Sequence, residues 1–305
     1  DCRWGMDSMV SQVHPELQKI FSALITPMDE KERVNYTALR ELAEAQLRDG
    51  VEGFYCCGSS GEGLLLTLEE RKKILETVIR QANGRVPVIS HIGTIRTADV
   101  TELAEHAKKA GAAAVSMIPP YYYHFSMDEI IGYYEAVIRA VPGLDVIVYN
   151  IPQFTGIEFG KGNADRLLGN PGVIGIKFTS QNLFSLERIR DAYPDKLLMN
   201  GFDEQFLGAL SMGASATIGT TVNLFAPLFH DVRRLYDEGR MAKAFEKQKA
   251  INFRVETMCR ANIFSAVKYG WTLRGIDCGN CRAPFRPLKD EEKEMLKNLY
   301  ALGLE

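Results

Sequence analysis

The sequence has no apolar run that approaches the roughly 20 residues of a membrane helix, and it has no excess of charge of one sign. It contains 36 Lys and Arg residues against 39 Asp and Glu residues, a net charge of −3 over 305 residues. Because a polyphosphate backbone is held by a positive field, we expect neither a nucleic acid nor a membrane as a partner. Apolar residues make up 46%, which is enough for a sizeable core.

Cysteine is scarce and its pattern indicates neither disulfides nor a metal. Six cysteines in 305 residues are too few for a disulfide scaffold, which is typically short and cysteine-dense. Cys56 and Cys57 lie in an apolar run and are predicted to be reduced core thiols. Cys278 and Cys281 form one CxxC pair, whereas zinc would need a second pair or a well-placed His. We interpret this pair as part of an ordinary loop, with metal or redox use as the alternative.

We also expect no secretory leader, since no basic segment is followed by an apolar one near the start of the given sequence. It opens without an initiator Met, and we predict that residues 1–12 are a tag remnant or a disordered N-terminus. Together with the cysteine usage, this predicts a cytoplasmic protein.

Eight apolar, β-rich segments recur at regular intervals and are predicted to be strands. Most are continuously apolar rather than alternating, which is typical of parallel strands covered on both faces. The predicted strands are 20–26, 53–57, 86–92, 113–118, 145–149, 173–179, 196–201 and 214–219.

Helical spacing and helix-end signals lie between these strands. Thr67 and Glu70 have the spacing of a capping box, in which each side chain satisfies an orphan amide of the other residue. The predicted helices are 36–49, 67–82, 97–110, 126–139 and 184–192.

Eight strands that alternate with helices predict an α/β fold, a (β/α)₈ TIM barrel, over residues 13–222. An open doubly wound sheet gives the same local signals and is the alternative, but eight regularly spaced strands favour closure. Residues 223–305 are predicted to form a C-terminal helical extension packed on the barrel. Its predicted helices are 224–238, 241–269 and 290–302.

Lys177 is the one charged residue in the otherwise apolar strand 173–179. Strand alternation predicts that Val173, Gly175, Lys177 and Thr179 share one face. A lysine buried there is either paired with a core acid or kept as a neutral amine, the form that attacks a carbonyl. The position alone supports both hypotheses equally.

Two other features lie at strand ends, where a barrel carries its active site. Tyr149 can relay protons there, although a half-buried Tyr bonded to a backbone carbonyl is the alternative. Segment 58–63, Gly-Ser-Ser-Gly-Glu-Gly, offers amides and hydroxyls that suit a carboxylate, or it is an ordinary strand-to-helix turn. Its spacing matches no nucleotide-binding motif.

Asp203 and Glu204 follow the seventh strand and could accept hydrogen bonds from sugar hydroxyls. The five histidines are scattered, without an HxH or HExxH pattern. We therefore expect no metal site, and a metal-dependent aldolase would lack its ligands.

Three segments together are similar to a known family: 58–62 (Gly-Ser-Ser-Gly-Glu), 149–152 (Tyr-Asn-Ile-Pro) and 175–179 (Gly-Ile-Lys-Phe-Thr). They resemble the N-acetylneuraminate lyase and dihydrodipicolinate synthase superfamily, and the resemblance runs from about residue 20 to residue 302. It implies a (β/α)₈ barrel with a helical extension, a class I Schiff-base mechanism without a cofactor, and usually a homotetramer.

The lyase branch of this superfamily is the better match. Dihydrodipicolinate synthases usually carry an Arg where this sequence has Phe154, whose apolar side chain cannot hold a carboxylate. Segments 201–204 (Gly-Phe-Asp-Glu) and 218–220 (Ile-Gly-Thr) resemble N-acetylneuraminate lyases, with Thr220 in place of Ser. The resemblance implies reversible cleavage of N-acetylneuraminate to N-acetylmannosamine and pyruvate.

The resemblance also implies roles for individual residues. Lys177 would form the imine, Ser59 and Ser60 would hold the substrate carboxylate, and Tyr149 would move the proton of the C4 hydroxyl. Tyr122 or Tyr123 would reach a neighbouring subunit's site. The implied sugar-binding residues are Thr179, Gly201, Asp203, Glu204, Gly219 and Thr220.

Two alternatives remain at this stage. The first is another pyruvate-dependent aldolase, acting on 2-keto-3-deoxy sugar acids or resembling dihydrodipicolinate synthase. The second is a catalytically silent binding or regulatory protein, which would be expected to have lost Lys177 or Tyr149. Both residues are present.

Overall fold

Eight parallel strands close into a barrel in the computed structural model, which describes residues 13–303. Strand order follows the sequence, and β8 pairs with β1. The closed barrel is confirmed, and the open sheet is wrong. The prediction for residues 1–12 lies outside the described residues. The strands are β1 (Ile20–Ala23), β2 (Gly53–Cys56), β3 (Val88–His91), β4 (Ala114–Met117), β5 (Val146–Asn150), β6 (Val173–Phe178), β7 (Leu197–Asn200) and β8 (Ala216–Gly219).

Every residue of the eight strands is buried. One side of each strand packs on the barrel axis and the other side packs under the helices, which explains the continuous apolar runs. The interior cluster draws side chains from all eight strands, among them Phe21, Tyr55, Ile89, Ala114, Ile147, Ile174, Leu197 and Ile218.

The predicted alternation along β6 is wrong at its first residue. The register against β5 shifts between Val146 and Ile147. As a result Ile174 joins the interior cluster, while Val173 belongs to the outer core under the helices. Lys177 lies beyond the shift and faces the interior, where it contacts aromatic rings.

Twelve α-helices surround the barrel within residues 13–303. The five helices predicted between the strands are confirmed to within a residue or two at each end, and the capping box of Thr67 and Glu70 is formed. The helices are α1 (Tyr36–Arg48), α2 (Leu68–Ala82), α3 (Thr97–Ala110), α4 (Met127–Ala140), α5 (Pro152–Thr155), α6 (Asp165–Leu168), α7 (Leu183–Ala192), α8 (Phe206–Ser211), α9 (Val222–Asp237), α10 (Met241–Cys259), α11 (Ile263–Leu273) and α12 (Asp290–Ala301).

The single helix predicted over 241–269 is wrong, because the chain breaks between α10 and α11. Asn262 caps α11, and its side chain accepts hydrogen bonds from the amides of Phe264 and Ser265 at 3.0 Å. Asn is among the preferred N-cap residues, so the sequence carries this signal. The break turns α11 so that its first residues reach the barrel opening.

None of the helices within residues 13–303 combines the length and the apolar composition that a membrane span requires.

Helices α9 and α11 are linked to the barrel by buried polar contacts. The Trp271 indole on α11 donates to the carbonyl of Asn223 on α9 at 2.9 Å, and the Asn223 amide donates to the carbonyl of Ala23 on β1 at 2.8 Å. We propose that the residues after 222 are an extension of the barrel and not a unit that folds separately.

This proposal predicts one cooperative unfolding transition. Trp271→Ala should lower the free energy of unfolding by about 3–5 kcal/mol, because it removes a fully buried aromatic side chain. Urea unfolding followed by far-UV and near-UV circular dichroism measures this. Phe245→Ala is the control, since that side chain is 55% exposed and its removal should cost less than about 0.5 kcal/mol. Two separate transitions in the parent protein would contradict the proposal.

Candidate active site

Lys177 extends from β6 into the mouth of the barrel and is 4% exposed. Its Nζ lies 3.8 Å from the ring centroid of Tyr149 and 4.3 Å from that of Tyr55. It forms no ion pair with any carboxylate in the described part of the chain. The lysine therefore makes no direct ion pair with a described core acid, although its charge acts to lower the pKa of buried Asp203, and the amine lies against aromatic faces.

Tyr149 is the register partner of Lys177 on the neighbouring strand β5. It is 3% exposed, and its ring is edge-on to Tyr55 and His91, with centroids 6.1 and 5.8 Å away. Within residues 13–303 its hydroxyl makes no hydrogen bond to a backbone carbonyl. The phenol is therefore held by packing beside the Lys177 amine, which leaves its hydroxyl available for a substrate.

The loop after β2 brings two serines to the same opening. Ser60 is buried, and its Oγ lies 2.7 Å from Oγ1 of Thr220, which follows β8. Gly63 packs so tightly that a Cβ there would lie 1.8 Å from the Cys57 carbonyl oxygen. The glycine therefore permits the sharp turn that presents Ser59 and Ser60.

Asp203 and Glu204 follow β7 at the same opening and differ in their surroundings. The Oδ2 of Asp203 accepts from the amide and the hydroxyl of Thr221, each at 2.7 Å. Its Oδ1 lies against Gly219, where a Cβ would be 1.9 Å away. Burial raises the pKa of Asp203 to about 6 and also raises the pKa of the partly buried Glu204.

These groups surround one cavity of about 270 Å³. Predicted site residues that line it are Ser59, Ser60, Tyr149, Lys177, Thr179, Gly201, Asp203, Glu204 and Thr220. Two predicted residues do not line it. Gly219 lies behind Asp203 and gives it room, and Tyr122 is 84% exposed.

Sequence reasoning missed several residues of this site. The ring of Tyr55 contacts the Lys177 amine, and the Tyr55 hydroxyl donates to Ser116 Oγ at 3.0 Å. Burial raises the pKa of Tyr55 well above the ordinary value, so this phenol stays neutral. The sequence feature that could have identified Tyr55 is its place inside a strand predicted to be buried. The extension adds Val255, Cys259, Ile263 and Phe264 to the wall.

His91 was also missed, and it lies beside Tyr149 at the end of β3. Its Nδ1 is 2.9 Å from the Cys57 carbonyl oxygen. Burial, reinforced by the charge of Arg71, holds its pKa well below the ordinary value. It therefore serves as a neutral packing partner of the two tyrosines.

The chemistry available here is that of an amine, phenols, hydroxyls and carboxylates. Within residues 13–303 no group of three or more His, Cys, Asp or Glu residues is arranged to hold a metal ion. Cys278 and Cys281 are buried free thiols, and burial raises their pKa values to about 12 and about 11. The cavity can form an imine, move a proton and bind hydroxyl groups.

Comparisons of the sequence and of the structure with known proteins lead to the same group of relatives. The N-acetylneuraminate lyase of Rhizobium meliloti (strain 1021) is 38% identical over 286 residues, covering 94% of this chain and 95% of the relative. Among solved structures, a Ruminococcus gnavus sialic acid aldolase catalytic lysine mutant has a TM-score of 0.92 at 30% identity, covering 95% of this chain and 96% of that one. The N-acetylneuraminate lyase from Fusobacterium nucleatum has a TM-score of 0.90 at 32% identity, covering 95% and 100%.

The match to a family covers nearly all of the described chain. Residues 16–301 match the dihydrodipicolinate synthetase family, which confirms the resemblance found in the three sequence segments. The chain belongs to the dihydrodipicolinate synthetase family.

Proposed function

We propose that this protein is a class I aldolase that reversibly cleaves N-acetylneuraminate to N-acetylmannosamine and pyruvate. The observation that carries the proposal is the buried Lys177 amine, which has no carboxylate partner among the described residues and lies beside the Tyr149 phenol in a cavity. The similar proteins support the substrate, since they are named N-acetylneuraminate lyases and one is a sialic acid aldolase with a catalytic lysine.

The proposed reaction begins when the Lys177 amine attacks the C2 ketone of open-chain N-acetylneuraminate. Loss of water gives a protonated imine, which serves as the electron sink, so no cofactor is required. Tyr149 gives its phenolic proton to the hydroxyl group that leaves as water. As the phenolate it then takes the proton of the C4 hydroxyl while the C3–C4 bond breaks and the electrons of that bond form an enamine. N-acetylmannosamine leaves as the aldehyde. Protonation of the enamine at C3 and hydrolysis of the imine release pyruvate and restore the amine.

The cavity lining offers one set of groups for the carboxylate of this substrate and another for its hydroxyl groups. We assign the carboxylate to the amides and hydroxyls of Ser59 and Ser60. The polyol tail would donate to Glu204. Asp203 borders this part of the cavity, with its Oδ2 held by Thr221 and its Oδ1 buried against Gly219. Thr179, Gly201 and Thr220 complete the sugar site, while Gly219 acts through the space that it leaves for Asp203.

We propose a homotetramer in which Tyr122 completes a neighbouring subunit's site. Tyr122 has a φ of +76°, a costly conformation for a residue other than glycine, and its ring stacks edge-on against Tyr123 with centroids 5.1 Å apart. Both rings are largely exposed. A strained, exposed aromatic pair is suited to a subunit contact.

We further propose that the protein works in the cytoplasm, because its buried cysteines are free thiols and a reducing compartment keeps thiols in that state.

Borohydride in the presence of pyruvate should attach a reduced pyruvate adduct to Lys177, because reduction converts the imine to a stable amine. Peptide mapping by mass spectrometry locates the adduct. Lys177→Met should abolish labelling. Lys196→Arg is the control: Lys196 is also buried, but its Nζ donates to the Val173 carbonyl at 2.7 Å, so this variant should still be labelled at Lys177. An adduct on another lysine would exclude the assigned nucleophile.

Glu204→Gln should weaken N-acetylneuraminate cleavage by roughly ten- to a hundredfold, the scale of a lost charge-assisted hydrogen bond. The measurement is kcat/KM for release of N-acetylmannosamine. Pyruvate labelling of Lys177 should persist, because the groups around Lys177 are unchanged.

The parent protein should not condense pyruvate with aspartate semialdehyde efficiently, since Phe154 offers no cation to a second carboxylate. The substrate assignment would be wrong if the variant cleaved N-acetylneuraminate at the parent rate, or if the parent condensed pyruvate with aspartate semialdehyde efficiently. Either result would leave the assignment of Lys177 as the nucleophile intact.

Treatment with EDTA should leave the cleavage rate unchanged, since the electrons of the broken bond go to the imine and not to a metal-bound oxygen. The rate is compared before and after dialysis against the chelator. Loss of activity that a divalent ion restores would show that the mechanism is wrong.

A further inference from the structure

Glu62 is the last residue of the serine-bearing loop, and its strained backbone conformation must be held by contacts with other parts of the chain. Its φ is +58° and its ψ is +31°, in the left-handed region, which costs free energy in any residue other than glycine. The amide of Glu62 donates to the carbonyl of Ser59 at 3.1 Å. The backbone position of Ser59 is therefore set in part by where Glu62 is held.

The Glu62 carboxylate is held by two groups of the C-terminal extension. Its Oε1 lies 2.5 Å from the Nζ of Lys268 on α11, and both side chains are 0% exposed. Its Oε2 accepts from the backbone amide of Arg282 at 2.6 Å. Lys268 also donates to the Asn280 carbonyl at 3.0 Å. The loop after β2 is thus tied to α11 and to the segment that follows it.

A second contact holds the same two parts of the chain together outside this pair. The Arg282 guanidinium binds both oxygens of Glu70 at 2.8 Å and the carbonyl of Leu65 at 2.8 Å. Residues 62–70 are therefore attached to residues 280–282 at both ends. The Glu62–Lys268 pair is the inner attachment, next to Ser59 and Ser60.

Stability does not explain why this pair is ionic. A buried ion pair is often no more stabilising than apolar residues of similar volume, because desolvation of both charges offsets their attraction. Together with the Arg282 amide, the pair holds both oxygens of the Glu62 carboxylate and so fixes its position. Here the held group is the end of the loop that lines the cavity with two serines.

We infer that Glu62, fixed by Lys268, is a positioning residue that sets Ser59 and Ser60 for the carboxylate of a 2-keto acid. The inference rests on the proposed function, in which that carboxylate binds at this loop. The same helix α11 supplies Ile263 and Phe264 to the cavity wall. One buried ion pair therefore fixes the carboxylate site relative to the wall of the extension.

The test compares a ketone that has a carboxylate with one that lacks it. Pyruvate and acetone both form an imine with a lysine amine, but only pyruvate can use Ser59 and Ser60. The measured quantity is the ratio of borohydride labelling efficiencies of Lys177 with pyruvate and with acetone. The double variant Glu62→Gln/Lys268→Met leaves no unpaired buried charge and keeps an acceptor for the Arg282 amide.

In this double variant the preference for pyruvate over acetone should fall by about tenfold, the effect of one lost hydrogen bond to a charged group, with acetone labelling unchanged. The control is Asp49→Asn/Arg274→Met, which removes another ion pair of the extension, 2.7 Å long, far from the loop. It should keep the parent preference. If the double variant fails to fold, Glu62→Asp retracts the carboxylate while keeping both charges, and it should lower the same ratio.

A parent-like ratio in a folded Glu62 variant would overturn the inference and leave the proposed function intact. An equal loss of pyruvate and acetone labelling would also overturn it, because that is the signature of a general disturbance. A parent protein that is not labelled by pyruvate at Lys177 would instead refute the proposed function, and the positioning role with it.

Discussion

The contact of the Lys177 amine with the faces of Tyr55 and Tyr149 is the interaction on which the site depends. These rings come from β2 and β5, and only a closed barrel brings both to β6. The two rings order the side chain by direct contact, and no described carboxylate forms an ion pair with it. A carbonyl can therefore approach the nitrogen from the cavity.

The extension after residue 222 is part of this site as well as a cover for the barrel. Val255, Ile263 and Phe264 form an apolar wall of the cavity, and α11, which carries two of these residues, is tied to the loop of Ser59 and Ser60 through Lys268 and Glu62. The second part of the wall depends on Asn262, which starts a new helix after α10 has ended. The barrel supplies the reacting groups, and the extension shapes the space around them.

The sequence allowed most of the fold to be predicted, because strands buried on both faces leave continuous apolar runs. Lys177 could be found because it interrupts such a run. The break before α11 was missed although Asn262 is a preferred N-cap residue. The register shift that moves Ile174 inward and the role of Gly219 could not be predicted as readily, because both depend on packing between distant segments, which local periodicity does not record. Tyr55 was overlooked because a Tyr is an ordinary member of a buried strand.

A crystal structure of the protein soaked with pyruvate tests the central claim most directly. It would show whether the buried amine, the phenol and the serine-bearing loop converge on one substrate. The account predicts continuous density from the Nζ of Lys177 to C2 of pyruvate, with the carboxylate within hydrogen-bond distance of Ser59 and Ser60 and the methyl group facing Tyr149. Pyruvate bound without a covalent link, or with its carboxylate turned toward Glu204, would contradict it.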